Sequence, residues 1–177
     1  MSEKRVIALV AFIGFIALVA GVGAVGDALA GERYKIAGTV TAATTKSEVF
    51  NVGDTEGHIV LLGESEGVNV STGERNFLDG AQNVGLDFAD LVFGNGSGQG
   101  YSKVSKGKDA AFYKTDGKVT TTLSAEGTPV SNFEGTYSYY KGTGQFEGIQ
   151  GGGTYKGKYI SRTIWVADWE GEYWIQK

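Results

Sequence analysis

Residues 31–177 lack the apolar periodicity of a helix. No stretch of about ten or more residues there places apolar side chains at i, i+3, i+4 and i+7. Apolar and polar residues alternate instead, in short runs that glycines and an Asp-Gly pair interrupt. The pattern predicts an all-β domain, either a sandwich or a barrel, with about eight to ten strands.

The alternation also predicts which residues share a strand face. Tyr34, Ile36, Val40 and Ala42 fall on one face of the first strand. The run 58–64 is apolar at both parities, so we expect it to be covered on both sides. Further strands are predicted at 48–52, 86–93, 98–105, 110–115, 119–123, 133–139, 151–160, 163–169 and 171–176.

Three segments are predicted to interrupt the strands. Asp116-Gly117 is a strong two-residue hairpin signal, because both residue types tolerate positive φ. The segment 67–85 is the least regular and is interpreted as a long loop, and the glycine-rich segment 94–100 as a shorter one.

Composition excludes several classes of protein. The 177 residues include 29 glycines but only 1 proline, which excludes collagen, while nine Tyr, nine Phe and three Trp supply enough apolar surface to fold. There is no cysteine, so disulfides, thiolate nucleophiles and cysteine metal sites are absent. A net charge of −4 disfavours nucleic acid as a partner.

Residues 1–30 have the layout of an export signal. Lys4 and Arg5 precede an uncharged apolar run at 6–26, and Ala28-Leu29-Ala30 matches a small-x-small cleavage pattern. The run is also long enough to stay as an uncleaved membrane anchor. The sequence favours cleavage before Gly31, and either alternative predicts that the domain at 31–177 lies outside the cytoplasm, secreted, periplasmic or anchored.

The segment 137–155 resembles a known family. Its core, Gly142-Thr143-Gly144-Gln145-Phe146-Glu147-Gly148, is similar to a hairpin shared by plant allene oxide cyclases and dirigent proteins. The run 133–138 resembles the preceding strand of that family, and 168–173 resembles its uncharacterised exported bacterial members. The resemblance implies one eight-stranded antiparallel β-barrel of calycin type, often a trimer. It also implies that Gly142, Gly144 and Gly148 form a tight turn and that Phe146 closes the barrel end.

The catalytic groups of the cyclases have no match in this sequence. They include a Glu and an Asn on the first strand, where this chain has Lys35, Ile36 and Ala37 if Tyr34 aligns with the cyclase tyrosine. The cyclase cysteine is missing as well. Cyclase activity is therefore disfavoured.

Few residues carry chemistry of their own. His58 is the only histidine; a Ser-His-Asp triad with Asp54 is conceivable, but a turn residue at the start of a strand is favoured. Asp90 shares a face with Phe88 and Val92, so an inward face would bury its carboxyl and raise the pKa. Glu48 is the other candidate acid. No metal site and no cofactor motif is predicted.

Asn69 and Asn95 begin glycosylation sequons, which matter only in a host that uses them.

Aromatic residues give the strongest functional signal. Strand aromatics can either line a ligand cavity or simply fill a small barrel. The candidate ligand-binding residues are Tyr101, Tyr113, Tyr137, Tyr139, Trp165 and Trp169.

Three functions stay open at this stage. The sequence favours a non-enzymatic exported barrel that binds a small apolar molecule or serves as a stable scaffold. The second is an isomerase or cyclase acting on an oxidised lipid or phenolic substrate, with Asp90 or Glu48 as its buried acid. The third is a trimeric assembly protein at a membrane surface.

Overall fold

The structure, a computed structural model, describes residues 31–176. The predicted leader at 1–30, including its apolar helix, lies outside the described residues. Eight strands follow one another, with one turn of 3-10 helix at Gly144–Phe146 between the sixth and seventh. The strands are β1 Tyr34–Asn51, β2 His58–Ser71, β3 Ala81–Val92, β4 Asn95–Lys106, β5 Asp109–Leu123, β6 Pro129–Thr143, β7 Ile149–Tyr159 and β8 Ile164–Ile175.

Each strand pairs with its sequence neighbours, and the sheet closes on itself. All pairings are antiparallel, and β1 pairs with β8 from Tyr34 opposite Tyr173 to Ala43 opposite Ile164. The prediction of an all-β, eight-stranded antiparallel barrel is confirmed. Closure leaves no free sheet edge to pair with another chain. Many proteins use proline to block exposed edges, and this sequence has a single proline. No helix among residues 31–176 has the length and apolarity needed to cross a membrane.

Period-2 alternation decides which side chains enter the barrel. On β1 the predicted face is correct, since Ile36, Val40 and Ala42 are buried. On β3 the inward side chains are those of Ala81, Asn83 and Leu91, so the odd-numbered residues face the interior. This parity places the even-numbered residues, Asp90 among them, on the outer wall.

Several strands are longer than the sequence predicts. The separate strand at 48–52 is wrong, because β1 runs without a break from Tyr34 to Asn51 past a register shift between Thr44 and Lys46. The bulge lets the strand bend and continue, and it disturbs the alternation that marks a strand in sequence. The predicted strands at 163–169 and 171–176 likewise form the single strand β8.

The predicted turns are the larger error. Asp116 and Gly117 lie inside β5, and the hairpins beside this strand turn at 107–108 and 124–128 instead. The segment 94–100 belongs mostly to β4, and the loop predicted at 67–85 shrinks to 72–80. A side chain at Gly117 would collide with Tyr155 Oη, so this glycine makes room for an aromatic side chain rather than for a turn.

The strand at 58–64 is not covered on both faces. Leu62 is 46% exposed, because in a single closed sheet every second side chain of a strand points to the outside. The apolar run therefore leaves part of its apolar surface on the outer wall of the barrel.

One end of the barrel, called the sealed end below, is closed by aromatic side chains. The loop 72–80 folds over it and inserts Phe77, which is almost fully buried. Its ring lies 5.1 Å from the ring of Phe146 and 5.2 Å from that of Tyr173. Phe146 thus has the buried position that the resemblance implied, but Phe77, in a segment expected to be a loop, shares the closure.

Candidate functional site

A cavity of about 190 Å³ occupies the middle of the barrel above the sealed end. Aromatic and small apolar side chains form most of its wall, with a few polar groups among them. Ligand sites in proteins commonly combine an apolar wall with a small number of convergent polar groups. The lining includes Val40, Ser65, Asn83, Asp87, Ala89, Tyr113, Phe133, Tyr137, Tyr139, Tyr155, Trp165 and Trp169.

Asp87 is the acidic group of this cavity. It lies on the inward parity of β3, and Ser65 Oγ donates a hydrogen bond of 3.3 Å to its Oδ2. Burial raises the pKa of the Asp87 carboxyl, and the hydrogen bond from Ser65 opposes that rise. Among residues 31–176, no cationic side chain forms an ion pair with Asp87. The carboxyl therefore faces the cavity with little compensation from the protein.

Tyrosine hydroxyls supply the other polar groups. Tyr113 Oη donates a 3.0 Å hydrogen bond to Asn83 Oδ1, and burial raises the pKa of Tyr113. Tyr137 is 8% exposed, and its Oη has no hydrogen-bond partner in the described part of the chain. Burial raises the pKa of Tyr137 to about 12, so this hydroxyl remains a proton donor at neutral pH. A buried donor without a partner is costly unless a ligand or a water molecule accepts from it.

Asn69 fixes the sealed end to the barrel wall. Its Nδ2 donates to the carbonyl oxygens of Phe77 and Leu78, both at 3.0 Å. Asn69 is 3% exposed, and the amide is fully engaged with the protein. The sequon at this position is therefore inaccessible to a glycosyltransferase in the folded state, whereas Asn95 is exposed at the start of β4.

Five of the six predicted ligand-binding aromatics line the cavity: Tyr113, Tyr137, Tyr139, Trp165 and Trp169. The sixth, Tyr101, is misplaced in the prediction. It is 61% exposed on the outer wall, where its ring lies 6.0 Å from that of Tyr140. In β4 the inward residues are Gly100, Ser102 and Val104, so parity turns Tyr101 away.

Both predicted catalytic acids lie outside the cavity. Glu48 is exposed, and its Oε1 lies 3.4 Å from Lys46 Nζ on the outer wall. The side chain of Asp90 is 47% exposed near the rim opposite the sealed end, so the prediction of a buried acid there is wrong. The prediction considered the face of β3 that carries Asp90 as the inward one, whereas the structure turns the opposite face inward, with Asn83 buried and Asp87 at the same parity.

His58 sits between two carboxylates at that rim. Its Nδ1 lies 2.5 Å from Asp54 Oδ1 and its Nε2 lies 2.7 Å from Asp90 Oδ1. The hydrogen bond to Asp90, then that to Asp54, raise the pKa of His58. A catalytic triad is excluded by this geometry, because Asp90 occupies the ring nitrogen that would activate a serine. The two aspartates instead bracket His58 at the start of β2.

The turn that carries the family resemblance has the expected shape in part. Gly144 and Gly148 have positive φ angles of 64° and 78°. Gly142 lies in β6 without a positive φ, and a side chain there would collide with the carbonyl of Phe146. Its role is close approach of two backbone segments rather than a left-handed conformation.

The fold and the cavity together define the structural class of the described residues. The molecule is a closed eight-stranded antiparallel barrel with an interior cavity that is mainly apolar and carries one carboxyl. No group of three or more His, Asp or Glu side chains that could hold a metal ion occurs among residues 31–176. In comparisons with protein-family models, curated proteins and solved structures, the chain matches none of them.

Proposed function

We propose that the barrel is a non-enzymatic binding protein that holds one small, mainly apolar molecule in its interior. One observation carries the proposal: the barrel keeps a cavity of about 190 Å³, and its lining includes Tyr137, whose buried Oη has no hydrogen-bond partner in the described part of the chain. A barrel filled only for packing would be expected to occupy this space with side chains.

The volume limits the ligand. An apolar cavity of about 150 Å³ takes up benzene, and most sites for larger ligands exceed about 300 Å³. The cavity therefore suits one aromatic or aliphatic ring with a short substituent. The Tyr137 hydroxyl can donate to, or accept from, one polar group of such a ligand.

Binding is tested by thermal unfolding in the presence of ethylbenzene and 2-phenylethanol, together with native mass spectrometry of the purified protein. A ligand at about a hundredfold excess over its Kd stabilises the folded state by about 2.7 kcal/mol. We expect Ala89→Leu, which adds volume inside the cavity, to abolish this stabilisation. The matched change Ala43→Leu lies on the outer parity of β1 and should leave it intact. No stabilisation by either compound and no copurified molecule would overturn the proposal.

A second candidate is an isomerase that acts on an oxidised lipid or phenolic substrate in the same cavity. Asp87 favours it, because a buried acid with a raised pKa retains a proton for general acid catalysis more readily. The test is incubation with an unsaturated fatty-acid epoxide and analysis of the products. Rearrangement by the wild-type protein that disappears in Asp87→Asn would support the enzyme, and no rearrangement by the wild type would reject it.

The outer wall favours a third candidate, a self-assembling protein such as a trimer. Leu62 lies opposite Phe88 and Leu86 opposite Tyr101, and all four are exposed. An apolar patch of this kind marks many interaction surfaces. Sedimentation equilibrium tests it: Leu86→Lys should dissociate the assembly, whereas a wild-type protein of monomer mass at high concentration would reject it.

Export also remains part of the proposal. It rests on residues 1–30, whose sequence has the layout of a secretory signal or of an anchor. Amino-terminal sequencing of the native protein is the test. A chain that starts at Gly31 supports cleavage, and one that retains residues 6–26 supports the anchor.

A further inference from the structure

Asp87 lies between two glycines, one on each neighbouring strand. Its partner across the pairing with β2 is Gly63, and its partner on β4 is Gly100. Directly opposite residues of an antiparallel pair project to the same face of the sheet. The position directly opposite Asp87 on each neighbouring strand therefore carries no side chain, and the β2 side chain that contacts the carboxyl is that of Ser65.

The glycine at 100 is the more restrictive of the two. A Cβ built there would lie 2.7 Å from Asp87 Oδ1 and 2.9 Å from Thr115 Oγ1. A Cβ at Gly63 would lie 4.0 Å from the Cβ of Asp87, an ordinary contact. The Asp87 carboxyl thus occupies space that a larger residue at 100 would take, and Asp87 is one of the residues that line the cavity.

The charge of Asp87 has no counterpart within the cavity. The lining includes one cationic residue, Lys118, but its Nζ lies 2.9 Å from Glu134 Oε1 and its side chain is 66% exposed. Lys118 therefore points outward, toward Glu134. The protein gives Asp87 one hydrogen bond, from Ser65 Oγ. The hydroxyls of Ser102 and Thr115 and aromatic side chains that include Tyr113 and Tyr155 also line the cavity.

An uncompensated carboxyl within an aromatic wall matches one class of ligand. Aromatic faces attract cations through their quadrupole, and a carboxylate adds a charge-assisted hydrogen bond to an ammonium group. We propose that the ligand of this cavity is an organic amine, bound as its ammonium ion with the nitrogen at Asp87 and the apolar body among the aromatic rings. This inference rests on the proposed binding function and specifies its ligand class.

The size of the cavity narrows the amine to a single ring or a short chain. A ring with a two-carbon arm carrying the ammonium group is of the right order for about 190 Å³.

The test compares three probes that share the same ring and arm length: 2-phenylethylamine, 2-phenylethanol and phenylacetate. Calorimetric titration of the purified protein near neutral pH should rank the amine at least about tenfold above the alcohol, with the anion weakest. Either probe can donate a hydrogen bond to the carboxylate, but only the ammonium group adds the attraction between opposite charges, and a tenfold ratio corresponds to about 1.4 kcal/mol.

Two substitutions locate the cation. Asp87→Asn should abolish the preference for the amine, so that amine and alcohol bind with affinities within about twofold of each other. Asp116→Asn removes the same charge from the outer wall, where Asp116 accepts from Gln99 Nε2 at 3.0 Å, and should preserve the preference for the amine. If Asp87→Asn does not fold, Asp87→Ser removes the charge with a smaller side chain. The ratio of amine affinity to alcohol affinity in the wild-type protein is measured without any variant.

The outcomes separate the two proposals. Equal binding of amine and alcohol overturns the ammonium site and leaves the binding function in place, as does an amine preference that survives in Asp87→Asn. Failure of both the amine and the alcohol to bind overturns the ammonium site, and failure of ethylbenzene as well overturns the binding function.

Discussion

Trp169 Nε1 donates a hydrogen bond of 3.0 Å to Asn69 Oδ1, joining residues that are 100 positions apart in sequence. The two residues belong to β8 and β2, which flank β1 on either side. The indole can cross β1 because Gly38, opposite Trp169, has no side chain in its way. This bond and the two that Asn69 donates to the loop 72–80 tie the sealed end to two strands, β2 and β8.

Substitution of Asn69 by alanine should reduce the free energy of unfolding by about 3 kcal/mol. The change leaves the carbonyls of Phe77 and Leu78 and the indole N–H of Trp169 without their partner in a buried position. Urea denaturation followed by tryptophan fluorescence measures the loss. The control is Asn132→Ala on the exposed face of β6, which should stay within about 0.5 kcal/mol. Equal losses in the two variants would show that the hydrogen bonds of Asn69 do not stabilise the sealed end.

Truncation of Phe77 tests the closure of the barrel. Phe77→Ala removes a nearly fully buried ring that contacts Phe146 and Tyr173, and such truncations cost about 3–5 kcal/mol. Phe88→Ala removes a ring from the outer wall and should cost far less. Thermal unfolding of both variants by circular dichroism makes the comparison. A similar loss in both would mean that the sealed end is not the packed core of the molecule.

His58 is the only histidine in the chain, so its ring signals are assigned without ambiguity in a pH titration. Proton NMR of its ring should give a pKa above the usual 6.5. Asp90→Asn should lower this pKa more than Asp54→Asn does, because the hydrogen bond to Asp90 is the largest of the interactions that raise it. The reverse order would show that Asp54, and not Asp90, is the principal partner.

The same pairing predicts a dependence of stability on pH. The pKa of His58 is raised in the folded state, so its contribution to stability is fully present below pH 6.5 and disappears as the pH rises through the folded value. His58→Gln should therefore destabilise the protein more at about pH 6 than at about pH 9. Denaturant midpoints at the two pH values provide the measurement, and a loss that is independent of pH would exclude a charged His58.

Gly144 and Gly107 form a matched pair for the turn beside Phe146. Their φ angles are 64° and 63°, but only at Gly144 would a Cβ meet other atoms, those of Asp109 and Lys108. Alanine at either position should cost about 1–2 kcal/mol for the left-handed backbone. Gly144→Ala should cost more, because Asp109 would have to give up its bonds to Gln145 at 3.0 Å and 2.9 Å. Chemical denaturation of both variants decides, and equal losses would show that Asp109 moves freely.

Local alternation predicted much of the fold but less of the site. It gave the all-β class, the inward face of β1 and the inward aromatics of β6, because a closed sheet repeats its environment every second residue. The same reasoning chose the wrong side of β3 and with it Asp90. Leu86 and Phe88 make the outer parity more apolar than the inner one, which includes Asn83, Gly85 and Asp87.

The glycines explain why strands were mistaken for turns. Gly96 and Gly117 lie in segments that signal turns in sequence, yet in the barrel they belong to strands where neighbouring backbone or an aromatic side chain approaches closely. Gly94, with a φ of 76°, does form the turn between β3 and β4. A single sequence does not distinguish a glycine that bends the chain from one that makes room. The distinction depends on what lies opposite.

The sequence alone determined that this chain builds one β domain after an apolar leader-like segment, since composition and period act through near neighbours. Only the tertiary structure decided that Phe77 seals one end, that His58 joins Asp54 and Asp90, and that Asp87 faces an open cavity between Gly63 and Gly100. Each of these depends on strand register, and a shift of one residue moves a side chain to the other face of the sheet. The register of each strand depends on its neighbours around the closed barrel. The residue pattern within one strand therefore does not determine that register.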